Sequence, residues 1–206
     1  MRVRIHYRCR MPPGLHAHPD RLRWNERYAD TPPTFEPHPL ARAAMAAGLP
    51  DGPVLELACG RSGSALLLAA AGRRVIAVDV SDLALTQLAA EARRRGLADR
   101  IECMEADISS RDHGRERYAL VLATHYWDPA AFAAACRAVM PAGLLGWEAL
   151  AAAPMGEGPA QPWRVAHREL SARLPGRFTV LDEQLVVSGG KRSTRLLARA
   201  APETRA

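Results

Sequence analysis

The fold is decided by the stretch Val54-Leu55-Glu56-Leu57-Ala58-Cys59-Gly60-Arg61-Ser62-Gly63-Ser64. Its apolar start predicts a short strand at Val54–Ala58, and a helix is expected over Ser62–Ala71, where a glycine follows. The turn between them carries small residues, which let a ligand lie directly against the backbone. These small residues are Ala58, Gly60, Ser62 and Gly63.

The same alternation of apolar strands and helices continues along the chain, and it predicts a parallel sheet with crossover connections. Further strands are expected at Arg74–Val80, Arg100–Ala106, Tyr118–Thr124 and Leu144–Leu150. Helices are expected at Leu83–Arg95, capped by Ser81 or Asp82, and at Pro129–Val139, ended by Pro141 and Gly143.

The C-terminal part of the chain differs from this pattern. A short helix is expected at Glu169–Leu174, and strands at Phe178–Val187 and Thr194–Ala200. A Gly189-Gly190 connection between two strands is typical of a hairpin, so one of the two must run antiparallel to the rest of the sheet. The predicted fold class is α/β, with a doubly wound, mainly parallel, Rossmann-like sheet.

Residues 1–39 are expected to form an N-terminal extension before a ligand-binding domain at residues 40–206. Within residues 1–20, apolar and basic positions alternate from Arg2 to Arg10, which fits a loose tail, an edge strand or a lid over the site. A short amphipathic helix is expected at 21–30, a proline-rich extended linker at 31–39, and a helix at Leu40–Ala47.

Composition limits the class of protein. The 206 residues are 48% hydrophobic and 24% charged, which are globular values, and no apolar run is long enough to span a membrane. The four cysteines form no CxxC or zinc-type spacing, so reduced thiols, a cytoplasmic location and no metal site are expected. The net charge is +6, but Lys191 is the single lysine, and this arginine bias weakens the case for a nucleic-acid partner.

Three acidic residues at expected strand ends indicate the ligand. Asp79 follows the glycine-rich turn by about 20 residues, the spacing at which a carboxylate accepts hydrogen bonds from a ribose. Glu56, just before the turn, suits a positive ammonium group and would sit badly beside a pyrophosphate. Asp107 can accept from an adenine amine. Both a dinucleotide and S-adenosylmethionine fit the turn, and Glu56 favours S-adenosylmethionine.

Residues 54–150 resemble the class I S-adenosylmethionine-dependent methyltransferases, whose acid and glycine-rich turn match Glu56–Ser62 with Ala58 and Ser62 replacing the outer glycines. The resemblance implies a seven-stranded sheet with an antiparallel inserted strand. Trp24 to Tyr28 resembles a segment that covers the cofactor in small stand-alone members of the tellurite-resistance and thiopurine types. The cofactor residues implied are Trp24, Tyr28, Glu56, Ala58, Cys59, Gly60, Ser62, Asp79, Val80, Ser81, Asp107, Ile108 and Thr124.

The catalytic candidates follow the fourth strand, where ligands lie in doubly wound sheets. His125 could serve as a base near neutral pH, and Tyr126 could wall the acceptor pocket. Glu148 could hold a cationic group of the substrate. No Asn-Pro-Pro-Tyr or Asp-Pro-Pro-Tyr follows this strand, which argues against bases or glutamine amides as acceptors.

The favoured function is in-line methyl transfer to a small molecule by a monomer or homodimer without membrane or nucleic-acid partners. The alternatives are an S-adenosylmethionine-binding pathway protein without methyl transfer, an RNA methyltransferase and an NAD-type oxidoreductase.

Overall fold

The computed structural model describes residues 15–152 and 161–203, and the alternating segment at the N-terminus lies outside these ranges. Its seven strands form one sheet in the order β3-β2-β1-β4-β5-β7-β6. The strands are β1 (Val54–Leu57), β2 (Val75–Asp79), β3 (Ile101–Glu105), β4 (Tyr118–Thr124), β5 (Val139–Leu150), β6 (Phe178–Ser188) and β7 (Lys191–Ala200). Neighbours from β3 to β5 pair in parallel, and β7 pairs antiparallel to β5 and to β6, as the hairpin predicted.

Helices cover both faces of the sheet, and short 3₁₀ helices occur at Leu15–Ala17 and Ala98–Arg100. The α-helices are α1 (Pro19–Asp30), α2 (Pro39–Ala46), α3 (Gly63–Ala70), α4 (Asp82–Arg94), α5 (Pro129–Ala138) and α6 (Glu169–Ala172). Residues 106–117, which connect β3 to β4, contain no helix. The strand pairs and crossovers confirm the predicted α/β class.

The prediction that Pro141 and Gly143 end a helix was wrong. The helix α5 stops at Ala138, and the chain enters β5 at Val139 without an intervening loop. The pairing with β4 is interrupted between Val139 and Leu144, where Ala142 has a φ of 60°. Pro141 falls in this irregular stretch, where a proline without an N–H donor does not break a regular ladder.

The order of the strands determines where a ligand can lie. The chain winds from β1 outward to β2 and β3, and then returns to the other side of β1 with β4. The connections after β1 and β4 therefore leave the sheet in opposite directions, and a crevice opens at the carboxyl ends of these two strands. Both strands are almost fully buried, which holds the two strand ends rigidly.

Candidate cofactor and acceptor site

The turn after β1 is tightly fixed by its backbone. Ala58 and Gly60 have φ values of 48° and 53°, so an alanine occupies a left-handed conformation that usually favours glycine. Ser62 caps α3 by accepting a hydrogen bond from the Ala65 N–H at 2.8 Å. A Cβ on Gly63 would overlap the carbonyl oxygen of Phe35, because the chain before α2 crosses directly over the turn.

Glu56 lies at the base of this turn and is only 2% exposed. The Ser62 hydroxyl lies 2.7 Å from both of its carboxylate oxygens. Burial raises the pKa of Glu56 to about 8, opposed by the Ser62 hydrogen bond and reinforced by the charge of Asp79. A carboxyl group held partly neutral in this way gains its charge most readily when a cation lies against it.

Asp79 ends β2 and is 6% exposed. Its Oδ2 accepts from the Gly60 N–H at 2.7 Å, and its Oδ1 accepts from the Ser81 N–H at 2.8 Å. Burial raises the pKa of Asp79, and these backbone donors act in the opposite direction. The carboxylate thus ties the turn after β1 to the turn after β2, and each oxygen keeps a lone pair for another donor.

Asp107 and Ile108 follow β3 as expected, and Ile108 is buried. The Asp107 carboxylate accepts from the backbone N–H and the hydroxyl of Ser109, at 3.0 and 2.8 Å. Ser81, rather than Asp82, caps α4, accepting from the Ala84 N–H at 3.1 Å.

Helix α1 covers the side of the turn that faces Asp79. The Asn25 side chain accepts from the Ser81 hydroxyl at 2.6 Å and donates to Asp82 at 2.7 Å. A Cβ on Gly60 would clash with the Tyr28 hydroxyl, and the Tyr28 ring stacks on Trp24 with 5.6 Å between the ring centroids. Polar bonds rather than buried apolar side chains therefore attach α1, which has no buried residue.

A cavity of about 210 Å³ opens on the other side of the turn. The predicted residues that line it are Glu56, Cys59, Ser62, Thr124 and His125. The lining residues that the sequence did not reveal include Glu36, His38 and Arg61. The predicted residues outside this lining are Trp24, Tyr28, Ala58, Gly60, Asp79, Val80, Ser81, Asp107, Ile108 and Tyr126. The three expected acids therefore do not share one open cavity in this structure, because α1 covers the side on which Asp79 lies.

Tyr126 points away from His125. Its ring packs near the fully buried Trp147, with ring centroids 6.3 Å apart, and its backbone carbonyl accepts from the Trp147 indole at 2.9 Å. The structure therefore places Tyr126 beside the core on the α5 side of the sheet, away from the cavity lined by His125.

Glu148, on β5, was expected to hold a cationic part of a substrate. In the structure its cationic partner is Arg195 of the same chain. Arg195 donates to its Oε2 at 2.6 Å, and the Ser193 hydroxyl donates to its Oε1 at 2.7 Å. His38 lies 3.2 Å from Oε2. Burial by itself would raise the pKa of Glu148, but the hydrogen bonds from His38, Arg195 and Ser193 outweigh it and lower the pKa to about 2.

These features define the class of protein before any comparison. The sheet has seven strands, with an antiparallel strand inserted between β5 and β6, and Glu56 lies just before the small-residue turn after β1. Both features are those of the class I methyltransferases that the sequence resembles. Residues 54–143 match a family profile described as a methyltransferase domain. Within residues 54–143, the chain is similar to the methyltransferase-domain family, and the sheet that surrounds these residues has the class I methyltransferase topology.

Solved structures share the fold at low sequence identity, and no curated protein matches the chain in sequence. The 1,6-didemethyltoxoflavin-N1-methyltransferase of Burkholderia thailandensis has a TM-score of 0.67 and 21% identity, over 88% of this chain and 86% of its own. TehB from Haemophilus influenzae has a TM-score of 0.68 and 17% identity, over 86% and 67%. The [4+2]-cyclase SpnF has a TM-score of 0.66 and 18% identity, over 80% and 81%.

Proposed function

We propose that this protein transfers the methyl group of S-adenosylmethionine to a small molecule. The observation that carries the proposal is the buried Glu56 at the base of the turn, inside the region that matches the methyltransferase family and in the same cavity as His125. A methyltransferase of a small heterocyclic compound has the same fold, which supports a small-molecule acceptor.

The residues present fit this cofactor. The partly neutral Glu56 lies where a positive ammonium group would stabilise its charge. Asp79 keeps a lone pair on each oxygen for ribose hydroxyls, and Asp107 lies at the next strand end for the adenine amine. The remaining cofactor contacts that we propose come from Trp24, Tyr28, Ala58, Cys59, Gly60, Ser62, Val80, Ser81, Ile108 and Thr124.

S-Adenosylmethionine supplies an activated methyl group, so the protein must chiefly align an acceptor with that group and exclude water. The cavity between the turn and β4 provides a place for the acceptor, with Thr124 and His125 at its β4 side. His125 is the proposed catalytic residue, whereas Tyr126, which the sequence also suggested, packs near Trp147 and outside the lining of this cavity.

We also propose that the chain acts in the cytoplasm, as a monomer or homodimer and without a nucleic-acid partner. The described part of the chain contains no helix long and apolar enough to cross a membrane. We further propose that residues 1–39 form an extension that covers the cofactor and that residues 40–206 form the cofactor-binding domain. The polar contacts through which α1 docks on α4 support this division.

The test begins with calorimetric titration of the purified chain with S-adenosylhomocysteine and, separately, with NAD. Binding of S-adenosylhomocysteine alone supports the proposal, and binding of NAD alone contradicts it. Cofactor carrying a labelled methyl group is then incubated with small aromatic hydroxyl, ring N–H and thiol compounds and with total RNA. Label only on RNA favours an RNA methyltransferase. Binding without transfer to any acceptor favours a cofactor-binding protein without methyl transfer, an outcome worth measuring because the [4+2]-cyclase SpnF shares the fold.

A further inference from the structure

Three side chains that are distant in the sequence meet at the outer side of the cavity. His38 precedes α2, His125 follows β4, and Glu148 lies on β5. The His38 and His125 rings meet edge to face with centroids 5.5 Å apart, and the Nδ1 of His125 lies 3.6 Å from the Oε1 of Glu148. The arrangement therefore has one carboxylate facing two imidazoles.

The hydrogen bonds of His38 assign both of its ring nitrogens. Its Nδ1 accepts from the Leu40 N–H at 3.2 Å, as the cap of α2, and must therefore be unprotonated. Its Nε2 then carries the hydrogen and donates it to Oε2 of Glu148 at 3.2 Å. With both nitrogens engaged, His38 has no free position from which to accept a substrate proton.

His125 differs from His38 in this respect. Only its Nδ1 faces Glu148, and its Nε2 has no hydrogen-bond partner within residues 15–152 and 161–203. Its side chain is 61% exposed, and a φ of 57° at its backbone sets its direction where the chain turns away from β4. His125 thus presents Nδ1 to the carboxylate, and its side chain lines the open cavity.

The carboxylate itself is fixed and charged. Ser193 and Arg195 on β7 hold one oxygen each, so Glu148, only 2% exposed, cannot turn away from the histidines. A buried carboxylate held in this way favours the tautomer in which the neighbouring imidazole carries its hydrogen on the nitrogen that faces it.

We infer that Glu148 is a positioning residue whose carboxylate, 3.6 Å from Nδ1 of His125, favours the tautomer with hydrogen on Nδ1, so that Nε2 of His125 acts as general base on an acceptor that loses a proton when it is methylated. This inference rests on the proposed function, and it narrows the substrate class to a hydroxyl or a ring N–H. The bond from the acceptor atom to the methyl carbon forms as the methyl–sulfur bond breaks, with its electron pair staying on sulfur. The acceptor proton passes to Nε2.

The surroundings of His125 favour its neutral imidazole, which is the form that can accept a proton. Partial desolvation lowers the pKa of His125, and the charges of Lys191 and Arg195 lower it further, as protonation of His38 would, against the opposing effect of Glu148. These groups come from the segment before α2, from β5 and from the hairpin of β6 and β7.

The same three side chains have ligand atoms within 4.8 Å of one another and could in principle hold a metal ion. Arg195, 2.6 Å from the shared carboxylate, places a positive charge beside that position and disfavours a divalent cation. Zinc binding is therefore an outcome to be measured, and stoichiometric binding that His125→Gln and Glu148→Gln abolish would overturn the inference.

The first experiment uses the unaltered protein, labelled with ¹⁵N in its histidines, and reads the tautomer of each ring by NMR above the titration range. His125 is expected to carry hydrogen on Nδ1, and His38 on Nε2. Hydrogen on Nε2 of His125 would overturn the inference. This measurement requires no cofactor or substrate, so it separates the inference from the proposed function.

The second experiment titrates His125 by NMR in Glu148→Gln. Loss of the carboxylate charge is expected to shift the midpoint to lower pH, whereas Glu169→Gln, which alters the exposed pair with Arg173 on α6, should leave it unchanged. Circular dichroism confirms that both variants fold. An unshifted midpoint in folded Glu148→Gln would contradict the positioning role.

The third experiment tests the substrate class with labelled cofactor and two matched acceptors, a phenol and the corresponding thiophenol, which is already ionised at neutral pH. His125→Gln is expected to lose on the order of 100-fold in transfer to the phenol and to change little with the thiophenol. Equal losses with both acceptors would overturn the base role. Absence of transfer to either acceptor by the unaltered protein would count against the proposed function, and the tautomer then decides the inference alone.

Discussion

The two sides of the turn after β1 are built in different ways. On the side that we propose binds the nucleoside, called the nucleoside side below, Asp79 is bonded to backbone N–H groups of nearby turns, and α1 lies across it. On the acceptor side, Glu148 is bonded by side chains of distant segments, and the cavity is open. Backbone contacts within a short motif specify the first side, whereas the second exists only after the whole sheet has assembled.

The largest expected effect is that of a substitution at Gly63, where the turn after β1 enters α3. Gly63→Ala places a Cβ against the backbone of Phe35 and Glu36, which cannot move aside as a side chain would. We expect a loss of about 3 kcal/mol in the free energy of unfolding, measured by urea denaturation. Gly176→Ala is the control, because a Cβ there meets nothing within 4 Å. Equal stability of the two variants would show that the crossing segment does not constrain the turn.

The next effect separates the two sides. Asp79→Ala leaves the buried N–H groups of Gly60 and Ser81 without their acceptor, so we expect a loss of about 2 kcal/mol in stability. Affinity for S-adenosylhomocysteine should fall more than tenfold, or about 1.4 kcal/mol, in calorimetric titration. The exposed Asp99→Ala should change neither quantity. Unchanged affinity in a folded Asp79→Ala would refute the ribose role and leave a purely structural carboxylate.

The protonation of Glu56 makes both the stability of the fold and the affinity for the cofactor depend on pH. Its folded-state pKa is about 8, above the ordinary glutamate value of 4.5, so between these values the folded chain holds a proton that the unfolded chain has released. Stability should therefore fall as pH rises through this window. Binding of a cationic cofactor should expel the proton, and its affinity should increase as pH approaches 8.

Calorimetric titration at pH 7 in two buffers of different ionisation enthalpy measures how many protons are released when the cofactor binds. We expect release of about one proton on binding of S-adenosylmethionine, and none in Glu56→Gln, whose affinity should be about tenfold weaker. Identical enthalpies in the two buffers for the unaltered protein would mean that the carboxyl group is already ionised, or that it does not meet the ammonium group.

The smallest effect concerns the departure from the family's glycine pattern. Ala58 adopts a φ of 48°, which costs a residue with a Cβ about 1 kcal/mol, and glycine would remove this cost while adding freedom to the unfolded chain. Ala58→Gly should therefore change the free energy of unfolding by less than about 1 kcal/mol, in the stabilising direction. Ala71→Gly, at a residue with a φ of −77°, should destabilise. Clear destabilisation by Ala58→Gly would mean that the alanine methyl group makes packing contacts that exceed its strain.

The sequence predicted much of the nucleoside side because its parts are local. The strand ends, the turn and the cap at Ser81 each depend on residues within one strand–turn–helix unit. The resemblance added the covering segment, and the structure places Tyr28 over the turn, with Trp24 stacked on the Tyr28 ring.

The acceptor side could not be predicted in the same way. His38 lies in a proline-rich stretch that is typical of a linker, and Arg195 lies in a strand with many arginines. Their meeting at Glu148 depends on the register of β7 against β5, where Arg195 is opposite Glu148, and no local pattern encodes that pairing. The sequence indicated this side of the site through Thr124 and His125 at a strand end and through Glu148, but not through the residues that bind Glu148.

The attachment of α1 has a consequence for the order of events in a catalytic cycle. The Ser81 hydroxyl donates to Asn25, and Arg21 pairs with Asp82, so these contacts hold α1 over the side of the turn where Asp79 lies; none of these four residues lines the cavity at His125. An acceptor and its methylated product can thus exchange with α1 in place, whereas a nucleoside must pass beneath it. We therefore expect spent cofactor to depart last, with undocking of this helix setting the pace of turnover.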